Sequence, residues 1–304
     1  MIAPAARAAL AKLLGERVRF DVPVGRFTSL GVGGPADALA TPETQDEVVA
    51  LVDLCARLEV PLMALGGGFN TLVLDGGLDG VVLRTNRLRE LTLDGEGLLY
   101  AEAGVSHSQV TRLCLERAFR GLEFGAGIPG SVGGWVAMNA GVPEHEIGSL
   151  VVEIAAATPH GGRVVITREA LRFVYRGVLG MPAGAVVLAA RFQLEAGDRE
   201  SIRAAIDRHL AHRRTTQPID QPSCGSVFKN PPGEHAGRLI ELAGLKGARC
   251  GGAQISSVHA NFIVNDGSAT AADVAALIRR AQETVRERSG IELVPEVRII
   301  GRPG

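Results

Sequence analysis

The chain has 304 residues, with 32 Lys+Arg against 33 Asp+Glu and 4% aromatics; without a basic surplus or stacking platforms, a dedicated nucleic-acid binder is excluded. Hydrophobic residues at 46% and charged residues at 21% exclude disorder, and no segment approaches the roughly 18 uninterrupted apolar residues of a membrane span. Glycine is in surplus: 39 residues, about 13% where about 7% is ordinary, without the three-residue period of collagen.

The opening stretch, Ala/Leu-rich with Arg7, Lys12, Glu16 and Arg17 interspersed, is an amphipathic helix rather than a signal peptide, because it has no continuous apolar core before a cleavage site. A glycine-rich loop follows at Arg26–Pro35. Thr41-Pro42 signals a helix start, and Val48, Leu51, Val52, Cys55 and Leu58 recur at helical spacing. Pro61–Leu65 reads as a buried strand running into Gly66-Gly67-Gly68-Phe69-Asn70, and Leu72–Leu74 resumes extended structure. Short strands are expected at 81–83, 91–93 and 98–101, then a helix capped by Ser106 and ending near Ala118. Gly121–Gly141 holds seven glycines, the densest cluster. Strands follow at 151–157 and 186–194, with Phe173–Arg176 between them. A charged helix runs from Arg199 to about Arg214, then a Pro/Gln-rich connection. The last third alternates strands near 226–228, 254, 262–264 and 297–300 with helices near 236–243 and 271–288.

Five stretches carry chemistry. Successive glycines at 66–68 let backbone amides approach an anion, a pyrophosphate being the natural occupant; a tight structural turn fits them equally well. Gly125–Gly134 continues into the apolar run Trp135–Gly141, where helical glycine costs about 1 kcal/mol each, so a closely approaching ligand is favoured over structure alone. Cys224–Pro231 places Ser226, Lys229 and Asn230 within five residues; with no GxSxG elbow, a hydrolase nucleophile is not indicated. Glu296 sits in an apolar strand, and Tyr175-Arg176 offers a carboxylate or phosphate clamp. Cys55, Cys114, Cys224 and Cys250 form no CxxC pair, and the seven histidines make no ligand spacing. No metal is expected, and the setting is reducing and cytoplasmic.

The order of these motifs, from about Phe27 to Ile300, resembles the UDP-N-acetylenolpyruvoylglucosamine reductase (MurB) family, in its shorter, type II subclass. Ile128–Gly134 and Gly225–Pro231 are the most specific in combination. The resemblance implies an α+β chain: a two-lobed FAD-binding domain of the vanillyl-alcohol-oxidase (PCMH) type over 1–80 and 81–197, then a smaller α+β substrate-binding domain over 198–304. It implies noncovalent FAD, NADPH as reductant, and reduction of the enolpyruvyl ether of UDP-N-acetylglucosamine for peptidoglycan synthesis. By the same resemblance Ser226 is the general acid, with Arg176 and Glu296 as its catalytic companions. FAD contacts fall on Gly66, Gly67, Gly68, Phe69, Asn70 and Thr71, on Gly127, Ile128, Pro129, Gly130, Ser131, Gly133 and Gly134, and on Asn139, Ala140 and Gly141. Substrate contacts fall on Tyr175, Arg213, Lys229, Asn230, His259 and Asn261. The expected partner is the small-molecule substrate of a monomer, with neither nucleic acid nor membrane. Phe69 departs from the family's serine, and Gly177-Val178 replaces a motif with serine two residues after the arginine. Only nine residues separate Arg176 from Val186, which leaves no room for the longer subclass's capping insertion. The alternatives are a flavin oxidase with tethered FAD, against which no histidine lies near Gly66–Asn70, and a nonenzymatic nucleotide sensor, against which the trio Arg176, Ser226 and Glu296 speaks.

Overall fold

A computed structural model describes residues 1–304. The chain forms two compact units, one of residues 1–20, 37–67 and 80–211, the other of 21–36, 68–79 and 212–304.

In the first unit, α1 (Pro4–Leu14) turns Ala6, Leu10 and Leu14 inward. Helix α2 (Gln45–Arg57) buries Val48, Leu51, Val52 and Cys55, the face its 3.6-residue spacing dictates, while Leu58 stays 41% exposed. It starts later than Thr41-Pro42 implies: Thr44 is the N-cap, its side chain accepting from Glu47 N, and Thr41 N donates to Arg17 O. A four-stranded sheet runs Val18–Pro23, Pro35–Ala40, Leu78–Arg84, Leu62–Leu65, the last pair parallel. A five-stranded sheet runs Gly162–Thr167, Val151–Thr158, Val186–Gln193, Leu98–Glu102, Leu91–Leu93, with antiparallel pairings throughout. Its outer strand Gly162–Thr167 alternates burial too weakly to be evident in sequence. The central strands carry Ala155-Ala156-Ala157 and Leu188-Ala189-Ala190 because both faces are covered. One face meets α1 and α2; the other meets α3 (His107–Arg117) and α4 (Val132–Ala137). Ser106 and Gln109 form a capping box at α3. The highly charged α5 (Arg199–Thr216) buries only Ile202.

The second unit packs α6 (Ala236–Leu242) and α7 (Ala271–Ser289) on a three-stranded sheet of Arg249–Cys250, Ala253–Ile255 and Ile263–Asn265. Val274, Leu277, Ile278, Ala281 and Val285 of α7 join Leu30, Val32 and Leu72 in its core. Thr71–Val73 pairs in parallel with Arg298–Ile300, from Arg298↔Thr71 to Ile300↔Val73. Asn265 Nδ2 donates to Leu30 O at 2.9 Å, and Asp75 accepts from the first two amides of α7, Ala271 N and Ala272 N. These links, made across roughly two hundred residues of chain, group 21–36 and 68–79 with the C-terminal part, so the compact units interleave along the sequence where the three-part division is consecutive.

Candidate active site

Within the first unit, strand Leu62–Leu65 ends at Gly66, and a Cβ there would lie 2.7 Å from Ser131 Oγ. Ser131 precedes α4 in extended conformation (φ −118°, ψ 160°) and caps nothing with its side chain. It is 7% exposed, and its Oγ has no hydrogen-bond partner. A buried hydroxyl left unsatisfied costs about 1–3 kcal/mol, so it marks a place for a ligand acceptor or donor. The loop around it is rigidly held: His107 N donates to Gly130 O, Val132 N to Val105 O and Gly133 N to Ala103 O.

The glycines here divide by what surrounds them. A Cβ on Gly125 would strike the Trp135 ring, and one on Gly133 would come within 2.9 Å of Ala103 Cβ; both serve internal packing. At Gly127, Gly130 and Gly134 no foreign atom lies closer than 3.7 Å to that position, and Gly134 is exposed. Half-buried Ile128 and Pro129 sit between them. The cradle of open glycines beside an orphaned hydroxyl fits a phosphate-bearing cofactor approaching through backbone amides.

Asn139 lies outside this cradle. It is 0% exposed, and both ends of its amide are bonded within the protein: Nδ2 donates to Glu146 Oε2 (2.7 Å) and Val174 O (3.0 Å), and Oδ1 accepts from Gly148 N (3.0 Å). With no accessible surface, its side chain is committed to these bonds within the protein. Ala140 is 8% exposed and donates to Trp135 O, while Gly141 pairs with Glu146. Tyr175 and Arg176 form the two-residue turn of the hairpin Arg172–Val174/Gly177–Leu179. Arg176 lies 4.8 Å over the Tyr175 ring and donates to Gly141 O. The Gly177-Val178 departure is thus the start of the returning strand.

Within the second unit, Phe69 is 39% exposed beside Gly68. Gly68 has φ +70° and no room for a side chain: a Cβ would lie 2.5 Å from Phe27 O. Asn70 Nδ2 donates to Glu296 O (3.1 Å), and Arg298 N donates to Asn70 O. Thr71, 8% exposed, begins the paired strand. The segment around Ser226 pairs with that around Glu296: Glu296 N and Val297 N both donate to Val227 O, and Lys229 N donates to Val294 O. Ser226, Lys229 and Glu296 are all half-buried. Residues 226–228, expected as a strand, make only the isolated bridge Phe228↔Pro295. Asn261 is 4% exposed and clamps Phe228 from both sides, Nδ2 to Phe228 O (2.8 Å) and Oδ1 from Phe228 N (2.9 Å). Its amide holds the segment that presents Ser226. Asn230 Oδ1 accepts from Ala236 N at the start of α6. His259 is half-buried, which lowers its pKa, and its Nδ1 accepts from Asn261 N. Arg213 Nε donates to Gln217. Cys224, beside the motif, is 1% exposed with its thiol pushed up to about 12 by burial, which makes it a core residue rather than a nucleophile. Sequence reasoning does not find Glu146 or Asp75, since each looks like an ordinary charged turn residue.

Residues 36–167 match the FAD binding domain model, and 217–300 match the model of the UDP-N-acetylenolpyruvoylglucosamine reductase C-terminal domain. Wild-type Phl p 4.0202, a glucose dehydrogenase, is 14% identical over 64% of this chain and 44% of that one, with TM-score 0.51, a likeness of fold. These features define a flavoprotein: an α+β FAD-binding fold of the PCMH type with a second α+β domain at its C-terminal end. UDP-N-acetylenolpyruvoylglucosamine reductase of Geotalea uraniireducens is 44% identical over 293 residues, 96% of each chain. That of Alkalilimnicola ehrlichii is 47% identical over 92% of this chain and 93% of its own. The crystal structure of the Thermus caldophilus enzyme is 37% identical, covers 93% of this chain and 99% of that one, and superimposes with TM-score 0.80. The chain belongs to the UDP-N-acetylenolpyruvoylglucosamine reductase family.

Proposed function

We infer that this protein reduces the enolpyruvyl ether of UDP-N-acetylglucosamine to UDP-N-acetylmuramate, an oxidoreductase step of peptidoglycan precursor synthesis, with FAD as cofactor and NADPH as reductant. When bound, FAD would supply the hydride chemistry between NADPH and the vinyl carbon C3 of the substrate.

Gly66, the open glycines Gly127, Gly130 and Gly134, and the Ser131 hydroxyl are the groups that would hold FAD. Hydride addition at C3 leaves carbanion character at C2, delocalised into the adjacent carboxylate, so the protein must stabilise negative charge and deliver a proton. Arg176 meets the carboxylate as charge builds on it. Ser226 gives its proton to C2, with the Lys229 ammonium three residues on favouring the alkoxide left behind. Glu296 assists from the neighbouring segment. Tyr175, Arg213, Asn230 and His259 bind the nucleotide sugar.

The observation that carries this reading is the backbone pairing of the Ser226 segment with the Glu296 segment through Val227 O, in a chain 44% identical to a member of the family. We also place the protein in the cytoplasm as a monomer, in keeping with its four free cysteines. The test is stopped-flow of the two half-reactions. In Ser226→Ala, flavin reduction by NADPH proceeds as in the parent, while reoxidation by the enolpyruvyl substrate slows by about 10²–10⁴-fold; equal slowing of both sinks the role of Ser226.

A further inference from the structure

We propose that Asn139 is a positioning residue for Arg176, its side-chain amide fixing the turn that carries the arginine and Glu146 bracing that amide. This rests on Arg176 being the group that meets the substrate carboxylate.

Arg176 occupies the second position of a two-residue hairpin turn with φ +56°, a left-handed conformation that favours glycine or asparagine. The hairpin Arg172–Val174/Gly177–Leu179 forms a two-stranded sheet of its own, and such a ribbon is marginal without outside support. The support for its tip comes from one stretch of chain directly after α4. Asn139 Nδ2 holds the carbonyl of Val174, the last residue before the turn, at 3.0 Å. Two residues further on, Gly141 O accepts from the Arg176 guanidinium at 3.3 Å. Asn139 thus secures the backbone of the turn, and Gly141 secures the side chain.

The amide has only one workable orientation. Nδ2 faces two acceptors, the Glu146 carboxylate at 2.7 Å and the Val174 carbonyl, and Oδ1 faces the Gly148 N–H at 3.0 Å; the flipped amide would set oxygen against both acceptors. Asparagine also tolerates the φ of +42° at this position. The Gly148 side of the clamp carries a second restraint on the hairpin, since a Cβ on Gly148 would collide with the Phe173 ring. With no accessible surface, Asn139 acts on the reaction through Arg176.

The experiment uses the full-length, FAD-loaded enzyme and stopped-flow of each half-reaction. Asn139→Ala keeps the flavin spectrum and FAD affinity, while the oxidative half-reaction slows about 10–100-fold more than the reductive one, the scale of a clamp displaced by about an ångström. Combined with Arg176→Ala, it slows that step little beyond Arg176→Ala alone. Asn139→Asp keeps an acceptor for Gly148 N but offers no donor to Val174 O and sets a second carboxylate against Glu146, so its oxidative half-reaction slows at least as much as that of Asn139→Ala. The proposal is overturned if Asn139→Ala leaves the oxidative step unchanged, if it releases FAD, or if its effect multiplies fully with that of Arg176→Ala. If Arg176→Ala itself leaves the oxidative step unchanged, the assignment of Arg176 fails first. If Arg176→Ala slows that step and the Asn139 variants do not, only the positioning role fails.

Discussion

Ser131→Ala should move the stability of the cofactor-free protein and its affinity for FAD in opposite directions. The Oγ of Ser131 is buried and without a partner beside Gly66. Leaving a buried hydroxyl unsatisfied costs about 1–3 kcal/mol. Its removal leaves a site apolar and smaller by one oxygen, so the apoprotein gains about 1 kcal/mol after a small packing loss. For a unit of this size that is a rise in Tm of about 2–4 °C. If FAD accepts or donates the bond Ser131 lacks, the variant loses about 1–1.5 kcal/mol of binding, close to a tenfold weaker Kd. Differential scanning calorimetry of the apoprotein and fluorescence titration with FAD measure the two effects independently. A lower apoprotein Tm together with an unchanged Kd would refute the reasoning, because the hydroxyl would then be satisfied within the protein and irrelevant to the ligand.

Neighbouring glycines separate packing from binding: Gly133→Ala, with its Cβ 2.9 Å from Ala103, overpacks the core and destabilises by about 1–3 kcal/mol in chemical denaturation. Gly134→Ala, with nothing nearer than 4.0 Å, leaves the apoprotein as stable or firmer by up to about 1 kcal/mol but raises the FAD Kd. At α7, backbone and side-chain hydrogen bonds from Thr270 hold the Asp273 carboxyl below its usual range. Because the folded-state pKa is the lower one, this contribution is full above about pH 4 and is lost as pH falls through the folded value; Asp273→Asn should flatten the acid limb of a stability–pH curve, and an unaltered limb would disprove it. Burial raises the thiols of Cys55 to about 11 and of Cys114 and Cys224 to about 12, so a thiol reagent should label half-buried Cys250 first in the native protein and the others only on unfolding.

Much of this protein could be read from its amino-acid order, for local reasons. Apolar spacing places the buried faces of α2 and α7, and Ser106 marks the start of α3 through a cap made within four residues. The family resemblance is carried by short contiguous motifs, because close backbone approach and a held hydroxyl each need particular residues in immediate succession. What sequence could not sort is the purpose of each glycine. Gly125 and Gly133 make room for Trp135 and Ala103, while at Gly127, Gly130 and Gly134 a Cβ would meet only ordinary contacts of 3.7 Å or more, Gly130 adding a φ of +135°; the difference lies in neighbours that only folding supplies. The same holds for asparagine. Asn139 and Asn261 look like ligands in a motif, yet their amides are engaged by groups of the chain up to 35 residues away. The sequence by itself determined α1–α3 and α5–α7 and the inventory of reactive groups, since these depend on short-range propensity and motif. Only the tertiary structure decided which polar groups remain unsatisfied, and so available to a ligand, because hydrogen-bond satisfaction is settled by partners that the chain brings together from far apart.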